Sequence, residues 1–435
     1  MRSVGLYTLG CKVSQYETEA VAELFEKRGF CVSSFDAVCD VYVINTCTVT
    51  AESDRKSRQF IRRAIKKNPN AVVIAMGCYT QRSPAEVAAI PGVSAVIGTQ
   101  DKATAPEIAE RLILERESVP VVSVSDVDVA DFEPLTISKA PRTRAYVKIE
   151  DGCESKCTYC AISVARGRVR SKPRENVIRE VEALAASGTK EIVLTGIETG
   201  SYGRDFEEKY TLADLIVELN ARKSCERIRL GSLAPELIDR EFVSKVKDTE
   251  ILAPHFHLSL QSGSDSVLRN MKRRYNSRMA LEVIGNIKRE IPRATFTTDL
   301  MVGFPSESEE DFLMSEKIAR EIGLLDAHVF AYSKREGTPA ALYPDQVDER
   351  TKRERSERLI RAIKEIRDGV LDKILECEKR LSVIAETDLG SGEWTGHSDT
   401  FVEVRFKSSC PDLQGQMLNV RPVSHKDGIM YCEIV

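Results

Sequence analysis

The chain has 435 residues, of which 42% are apolar and 30% charged, and a formal net charge of -4. That length suits two to four domains with sizeable cores. The weakly negative balance excludes a broadly cationic nucleic-acid coat, so any basic surface must be local. No apolar run approaches the ~20 residues of a membrane span.

The opening "LYTLGC" has too short an apolar run, broken by Tyr7 and Thr8, for a signal peptide. The expectation is a cytoplasmic protein whose 12 cysteines sit in a reducing compartment. Structural disulfides are rare there, and clustered thiols point to metal or redox chemistry. The scattered Cys31, Cys39, Cys225, Cys377, Cys410 and Cys432 are expected to be small buried hydrophobes.

Residues 1–120 alternate short apolar runs with helical periodicity. "SVGLYTLG", "VYVINTC", "AVVIAMGC" and "VSAVIG" read as buried strands, and Glu17 to Arg28 as an amphipathic helix. Buried strands alternating with helices predict an open parallel sheet covered on both faces. Cys11, Cys47 and Cys78 each fall just past the C-terminal end of a predicted strand. Open α/β sheets place their sites at that edge, so three cysteines distant in sequence are expected to meet there.

Val122 to Arg144 is polar and proline-containing and reads as a linker or edge excursion. A second βα series occupies residues 139–370. Its predicted strands are "AYVKIE", "EIVLTG", "RIRLGSL", "HFHLSL", "TFTTDLMVG" and "DAHVFAY", with helical stretches such as Pro173 to Ser187 between them. Six such units predict a partial (βα)6 barrel with its chemistry at the strand C-terminal ends. A long charged helix follows Pro344. Residues 371–435 then switch to short β-rich runs broken by Gly, Ser, Asp and Pro, the pattern of a small β-barrel. The fold class is therefore α/β with a C-terminal β-barrel.

"DGCESKCTYC", from Asp151 to Cys160, follows the first strand of the second series and brings three thiols into one loop. Zinc and iron–sulfur sites ordinarily take four ligands. The nearest downstream cysteine or histidine is Cys225, so no local fourth ligand exists. A zinc ribbon is the competing reading, but a structural zinc site wants closure. A four-iron cluster on three thiolates instead keeps one iron open to an exogenous ligand.

"CESKCTYC" resembles the CxxxCxxC signature of the radical S-adenosylmethionine (AdoMet) enzymes, including the aromatic Tyr159 before the last cysteine. The resemblance implies a [4Fe-4S] cluster on Cys153, Cys157 and Cys160, with AdoMet chelating the open iron and yielding a 5′-deoxyadenosyl radical. It also implies AdoMet contacts at the later strand ends. In "LTGIETG" these are Gly196 and Glu198 or Thr199; in "LQSGSD" and "TTDLMVGFPSESEEDF" they are Gln261, Ser262 and Asp299. Helix capping explains Ser306 and Ser308 equally well.

"TLGCKVSQYETE", "VINTCTVT" and "AMGCYTQ" are similar to the N-terminal domain of the methylthiotransferases, a radical AdoMet subgroup. The resemblance covers nearly the whole chain. It implies a second [4Fe-4S] cluster on Cys11, Cys47 and Cys78, with Asn45 and Thr46 supporting it. The β-rich tail resembles the RNA-binding TRAM domain, with Trp394, Phe401 and Phe406 as candidate base stackers, although periodicity suits Phe401 and Phe406 to the barrel core.

Local charge agrees with an RNA partner. Arg55 to Lys67 carries seven basic residues and no acidic one, Lys272 to Arg274 is a basic triplet, and "ARGRVRSKPR" follows the cysteine loop. Arg166, Arg168 and Arg170 are therefore expected to touch RNA phosphates or substrate. The mixed-sign helix after Pro344 reads as a solvated face.

Within the family, "CTYCAISVARGRVRSKP", "EIVLTGIETGSYG" and "FAYSKREGTPAA" look most like the group that methylthiolates threonylcarbamoyladenosine at tRNA position 37. Isopentenyladenosine in tRNA or a ribosomal-protein aspartate are the alternative targets. Here "AIS" after Cys160 and "SLAP" after the third strand depart from the usual pattern. The resemblance implies two AdoMet molecules per turnover, one giving the methyl group and one the radical. It also implies the tRNA anticodon loop as partner, an electron donor such as flavodoxin or ferredoxin, and a sulfur source. A non-catalytic iron–sulfur RNA-binding protein is the reading from another class.

Overall fold

The computed structural model describes residues 1–115, 119–140 and 143–435. It separates into two compact units, each assembled from three stretches of chain. One holds Met1–Ile137, Tyr146–Lys172 and Ser333–Ala341; the other holds Ser138–Ala145, Pro173–Tyr332 and Leu342–Val435.

In the first unit, β1 (Ser3–Thr8) leads through Cys11 directly into α1 (Lys12–Lys27). This helix starts five residues before the predicted one, because its N-cap is Cys11 itself, which makes no side-chain capping bond. Then come β2 (Cys31–Ser33), β3 (Val41–Thr46), α2 (Ala51–Lys67), β4 (Val72–Gly77), α3 (Cys78–Arg82), α4 (Pro84–Ala88), β5 (Ala95–Ile97), α5 (Ala105–Leu114) and β6 (Val121–Ser123). The six strands form one parallel sheet in the order β2-β1-β3-β4-β5-β6. The short edge strands β2 and β6 escaped the sequence reading, being too brief and too exposed to give an apolar signal. Of the stretch read as a linker, residues 122 and 123 belong to β6, and residues 141 and 142 lie outside the described residues, as do 116–118 of the expected first domain.

Alternation along the strands covers both faces of this sheet. Val43, Ile74, Met76 and Ile97 pack with Val21 and Phe25 of α1 and with Ala109 and Leu112 of α5. Tyr42, Ile44, Val73, Ala75 and Val96 pack on the opposite side with Ile61 and Ala64 of α2.

The chain continues through β7 (Arg144–Lys148) into β8 (Glu150–Asp151), α6 (Ile162–Arg166) and β9 (Arg170–Ser171). β8 and β9 pair antiparallel, Glu150 opposite Ser171 and Asp151 opposite Arg170, so the cysteine loop is a closed excursion between them.

The second unit carries α7 (Arg174–Ala186), β10 (Glu191–Thr195), α8 (Leu212–Arg222), β11 (Arg227–Leu230), β12 (Ser232–Leu233), α9 (Arg240–Val246), β13 (His255–Gln261), α10 (Asp265–Asn270), α11 (Ser277–Glu290), β14 (Thr295–Val302), α12 (Glu309–Ile322), β15 (Asp326–Ala331) and α13 (Glu349–Cys377). β10 pairs parallel with β11, and β12-β13-β14-β15 form a parallel sheet. This is the predicted partial barrel with one change: the third strand breaks at Gly231. A side chain there would press on Thr199 Oγ1 at 2.8 Å and the Leu194 carbonyl at 3.1 Å. Ser308 accepts from Asp311 N and caps α12, as capping chemistry predicts.

The tail closes as a five-stranded barrel of β16 (Leu381–Gly390), β17 (Glu393–Ser398), β18 (Glu403–Lys407), β19 (Met417–Lys426) and β20 (Ile429–Ile434), in the order β16-β17-β18-β20-β19. The expected division at residue 370 falls inside α13, which runs unbroken to Cys377. Cys39, Cys225 and Cys432 are buried as expected, whereas Cys31, Cys377 and Cys410 are exposed.

Candidate functional site

Three strands that are consecutive in the first sheet, β1, β3 and β4, each deliver one cysteine past their C-terminal ends. Cys11 is exposed, while Cys47 and Cys78 are buried. Burial pushes the Cys78 thiol up to about 12, with Arg166 opposing the rise and the charges of Cys47 and Cys11 adding to it. Burial likewise raises Cys47, and Cys11 adds to that rise. Thiolates buried at these strand ends would be stabilised by a cation that offsets the lost solvation.

Asn45 and Thr46 fix the loops rather than the sulfurs. Asn45 Nδ2 donates to the Ser14 carbonyl (2.9 Å) and Thr18 Oγ1 (3.1 Å), at the start of the helix behind Cys11. Thr46 Oγ1 donates to the Met76 carbonyl (2.8 Å), just ahead of Cys78. Gly77 has φ 109°, and a Cβ there would overlap Asn45 Oδ1 and stand 2.7 Å from the Thr46 carbonyl. Only glycine permits this turn and this approach.

The second cysteine set belongs to the same unit. Cys153 N donates to the Gly167 carbonyl (3.0 Å), Cys160 N to the Cys157 carbonyl (3.1 Å) and Ile162 N to Cys160 Sγ (3.4 Å). Gly152, at φ 90°, lies so close to the returning strand that a Cβ would overlap the Arg168 carbonyl. Burial pushes the Cys160 thiol up to about 11, and Cys157 and Cys153 push the same way. Tyr159 is half-buried beside them. The segment Ser333–Ala341 joins this unit: Ala340 N donates to the Thr158 carbonyl (2.9 Å), and Arg335 Nη2 donates to Thr48 Oγ1 (2.8 Å) and Asp54 (2.6 Å).

Between the two sets lies a buried ionic network that sequence reading missed. Arg166 Nη1 donates to Glu17 (2.6 Å) and Asp151 (3.1 and 3.2 Å), and Nη2 donates to Glu17 (3.2 Å). Its Nε donates to Cys78 Sγ at 3.2 Å. Lys148 bridges Glu17 (3.1 Å) and Asp151 (3.2 Å), and Lys102 lies 3.3 Å from Glu17 and 3.4 Å from Glu133. Burial works against the charges of Glu17, Lys148, Asp151 and Arg166. For Glu17 the cations Arg166, Lys102 and Lys148 outweigh it and hold the carboxyl well below its usual range.

In the second unit the predicted AdoMet contacts sit at strand ends. Gly196 follows β10 and is half-buried. Glu198 is buried, and its Oε1 accepts from Ala234 N (3.0 Å). Burial raises its carboxyl to about 7, against the pull of the Ala234 amide and Arg273. Thr199 is fully buried and its Oγ1 has no hydrogen-bond partner among the described residues. Gln261 takes a positive φ of 62° at a bulge in β13. Ser262 is turned inward: its Oγ accepts from Ser264 N (3.2 Å) and lies 3.3 Å from Ser315 Oγ, so it holds the turn. Asp299 lies 3.3 Å from both His257 Nε2 and His328 Nδ1. Burial opposes its charge, but the two imidazoles hold its carboxyl below the usual range.

Three expected RNA contacts are corrected. Arg166 and Arg170 are buried, Arg166 in the network above and Arg170 against the Val127 and Arg168 carbonyls (both 2.9 Å). Trp394 is 3% exposed and sits in the core of the tail barrel. A basic run beside the cysteine loop reads as surface until a carboxylate 149 positions away claims Arg166, and an aromatic at an inward strand position fills the core first. Phe406 is also core, and Phe401 stacks on His255 (4.5 Å) with Arg229 over its ring (4.9 Å). Arg168 remains partly exposed, donating to the Asp128 and Ala130 carbonyls (both 3.0 Å). On α2, Lys56, Arg62 and Lys66 stand exposed, while Arg55 pairs with Glu52 and Arg58 with Glu86.

Among the described residues, no three His, Cys, Asp or Glu side chains gather tightly enough for a single metal ion. Each cysteine set offers three soft sulfur donors, all free thiols, which suits iron–sulfur clusters rather than a hard cation. The orphaned Thr199 hydroxyl beside Glu198 suits a ligand carrying amine or hydroxyl groups. The residues present thus fit both groups.

Comparison with known proteins agrees with this geometry. The radical SAM superfamily profile matches residues 147–318, and that of the uncharacterized protein family UPF0004 matches residues 3–98. The threonylcarbamoyladenosine tRNA methylthiotransferase MtaB of Bacillus subtilis is 41% identical over 97% of this chain and 94% of its own. The tRNA-2-methylthio-N(6)-dimethylallyladenosine synthase of Natranaerobius thermophilus is 31% identical over 98% and 95%. Among solved structures, the radical AdoMet methyltransferase TsrM of Kitasatospora setae aligns with a TM-score of 0.58 at 16% identity, over 78% of this chain and 77% of that one, a likeness of fold.

Proposed function

The chain belongs to the radical AdoMet tRNA methylthiotransferase family, and from that premise we propose that it adds a methylthio group to C2 of N6-threonylcarbamoyladenosine at tRNA position 37. The observation that carries the reading is the pair of three-thiol sets in one compact unit, one at three adjacent strand ends and one in a CxxxCxxC loop. A non-catalytic RNA-binding protein has no use for two such sets.

Cys153, Cys157 and Cys160 would hold one [4Fe-4S] cluster, with Tyr159 beside it, and Cys11, Cys47 and Cys78 a second. When bound, these clusters and AdoMet supply the electron, the carbon-centred radical, the sulfur and the methyl group for the transfer. The adenine C2–H bond has no acidity a side-chain base can exploit near pH 7, so the residues here need only bind, orient and exclude water. Glu198, Thr199, Gln261 and Asp299 are the proposed AdoMet contacts: Glu198 accepts from the amino group, and the Asp299 carboxylate, held charged by His257 and His328, accepts from hydroxyl or amine donors. Gly196 allows close backbone approach, and Ser262 fixes the turn behind Gln261.

Among the described residues, no helix is long and apolar enough to cross a membrane. The reading places the protein in the cytoplasm, with the tRNA anticodon loop as partner and a flavodoxin or ferredoxin as reductant. A separate sulfur source completes the reaction. The exposed Lys56, Arg62, Lys66, Lys272 and Arg274 are the groups offered to phosphates, and the target base must leave its stack to be reached.

Nucleoside mass spectrometry of tRNA from a deletion strain tests the substrate. The expected result is loss of the 2-methylthio form of threonylcarbamoyladenosine with the dimethylallyl form unchanged. The reverse pattern would reassign the chain to the second kind of relative, and no change in either would point to a protein target. Anaerobic incubation with AdoMet and dithionite tests the chemistry, since an active site of this class releases 5′-deoxyadenosine.

A further inference from the structure

We propose that Arg166 is a positioning residue for the cluster on Cys11, Cys47 and Cys78: its guanidinium reaches from the CxxxCxxC loop to the sulfur of Cys78 and raises that cluster's reduction potential. The inference rests on the assignment of those three cysteines as cluster ligands.

Arg166 ends the short helix α6 that follows Cys160, yet its side chain serves the other cysteine set. The Thr99 hydroxyl fixes the preceding backbone by donating to the Ala165 carbonyl (2.8 Å). Glu17 and Asp151 occupy the two terminal nitrogens, at 2.6 to 3.2 Å, and fix the plane of the guanidinium. In that plane Nε is directed at Cys78 Sγ, 3.2 Å away. The group is fully buried, so neither water nor salt screens it.

An arginine held only to neutralise Glu17 and Asp151 needs no sulfur on its third donor. Lys148 and Lys102 already face Glu17, and Lys148 faces Asp151. A rigid fork that spends two corners on carboxylates and one on a thiol is a device for aiming a donor. Reduction adds negative charge to a cluster, and that charge spreads onto its thiolates. A buried cation donating an N–H to one thiolate stabilises the reduced form more than the oxidised form, which raises the potential.

The test uses the full-length chain with Cys153, Cys157 and Cys160 replaced by Ala, so that bound iron reports the other set alone. Reconstituted parent, Arg166→Lys and the double variant Arg166→Gln/Glu17→Gln are compared by iron content and by redox titration followed by electron paramagnetic resonance. The double variant removes the cation together with one of its carboxylates, which limits the unpaired charge left inside. The expected result is a more negative potential in the double variant and a smaller displacement in Arg166→Lys, which keeps the charge but loses the aimed Nε–H. Potentials that coincide across the three proteins at equal iron content would overturn the inference while leaving the cluster assignment standing. Absence of iron from the parent would overturn both. Should the double variant lose its iron, the lysine variant decides: a displaced potential supports the role, and an unchanged one refutes it.

Discussion

Glu198 links the candidate AdoMet site to protons in a way that can be measured without turnover. The residue is 8% exposed, and burial lifts its carboxyl from an ordinary 4.5 to about 7. In the unfolded chain it ionises near 4.5, so between the two values the folded protein holds the proton more tightly. Stability therefore falls as pH rises through that window and levels off above about 7. At about 1.4 kcal/mol per pH unit the whole effect is about 3 kcal/mol, of which about 2 kcal/mol lies between pH 5.5 and 8. Glu198→Gln keeps the shape and removes the titration. Urea denaturation of the apo chain at the two pH values should show the wild type losing about 2 kcal/mol more than the variant. An amine donating to Glu198 favours the carboxylate, so AdoMet affinity of the reconstituted protein should rise between pH 6 and 8 more steeply in wild type than in Glu198→Gln. Identical pH slopes for the two proteins in both measurements would refute the argument.

Replacing Cys11, Cys47 or Cys78 by Ala should lower the iron content of the reconstituted protein from about eight to about four per chain, with 5′-deoxyadenosine still formed and the methylthio product lost; retained product would exclude these cysteines from the transfer. Trp394→Ala should lower stability by about 3 to 5 kcal/mol, as expected for a buried aromatic, in a thermal unfolding experiment, with tRNA affinity unchanged at temperatures where the variant is folded. Glu191 is ringed by Arg144 (2.8 Å), Arg227 (3.1 Å) and Arg229 (3.0 Å). Burial opposes its charge, but the three guanidiniums hold its carboxyl well below the usual range. Its contribution is thus complete above the ordinary carboxylate pKa and is lost as pH falls through and below it. Glu191→Gln should cost about 3 to 5 kcal/mol at pH 7, and the gap from wild type, read from urea midpoints, should narrow at pH 4.

The strands and cysteine loops were legible because their signals are local. A run such as residues 41–44 is apolar at every position, and CxxxCxxC lies within ten residues of one loop. The placement of Cys11, Cys47 and Cys78 past neighbouring strand ends was legible for a different reason: parallel sheets put the ends of their strands on one edge, so position after a strand predicts position in space. Arg166 was misread because nothing near it in sequence announces Glu17, and Arg170 because nothing near it announces the Val127 carbonyl. The same limit hid the pairing of Asp299 with His257 and His328, which register on β13, β14 and β15 brings about. The early start of α1 was hidden because Cys11 gives no capping signal.

The buried network around Glu17 raises the question of why a fold keeps so many charges inside. Lys102, Lys148 and Arg166 are all fully buried, as is Glu17. Removing such charges from water costs several kcal/mol each, and replacing buried ion pairs by apolar side chains of similar volume is often neutral or stabilising. Stability alone therefore does not account for them. What apolar substitutes cannot do is place a permanent donor 3.2 Å from the sulfur of Cys78. Nor can they keep its direction fixed when the charge on the sulfur changes. The carboxylates hold the guanidinium in plane, the lysines hold the carboxylates, and the one corner left over faces a thiol that burial by itself would keep protonated. A network built in this order makes sense only when read from the sulfur outward.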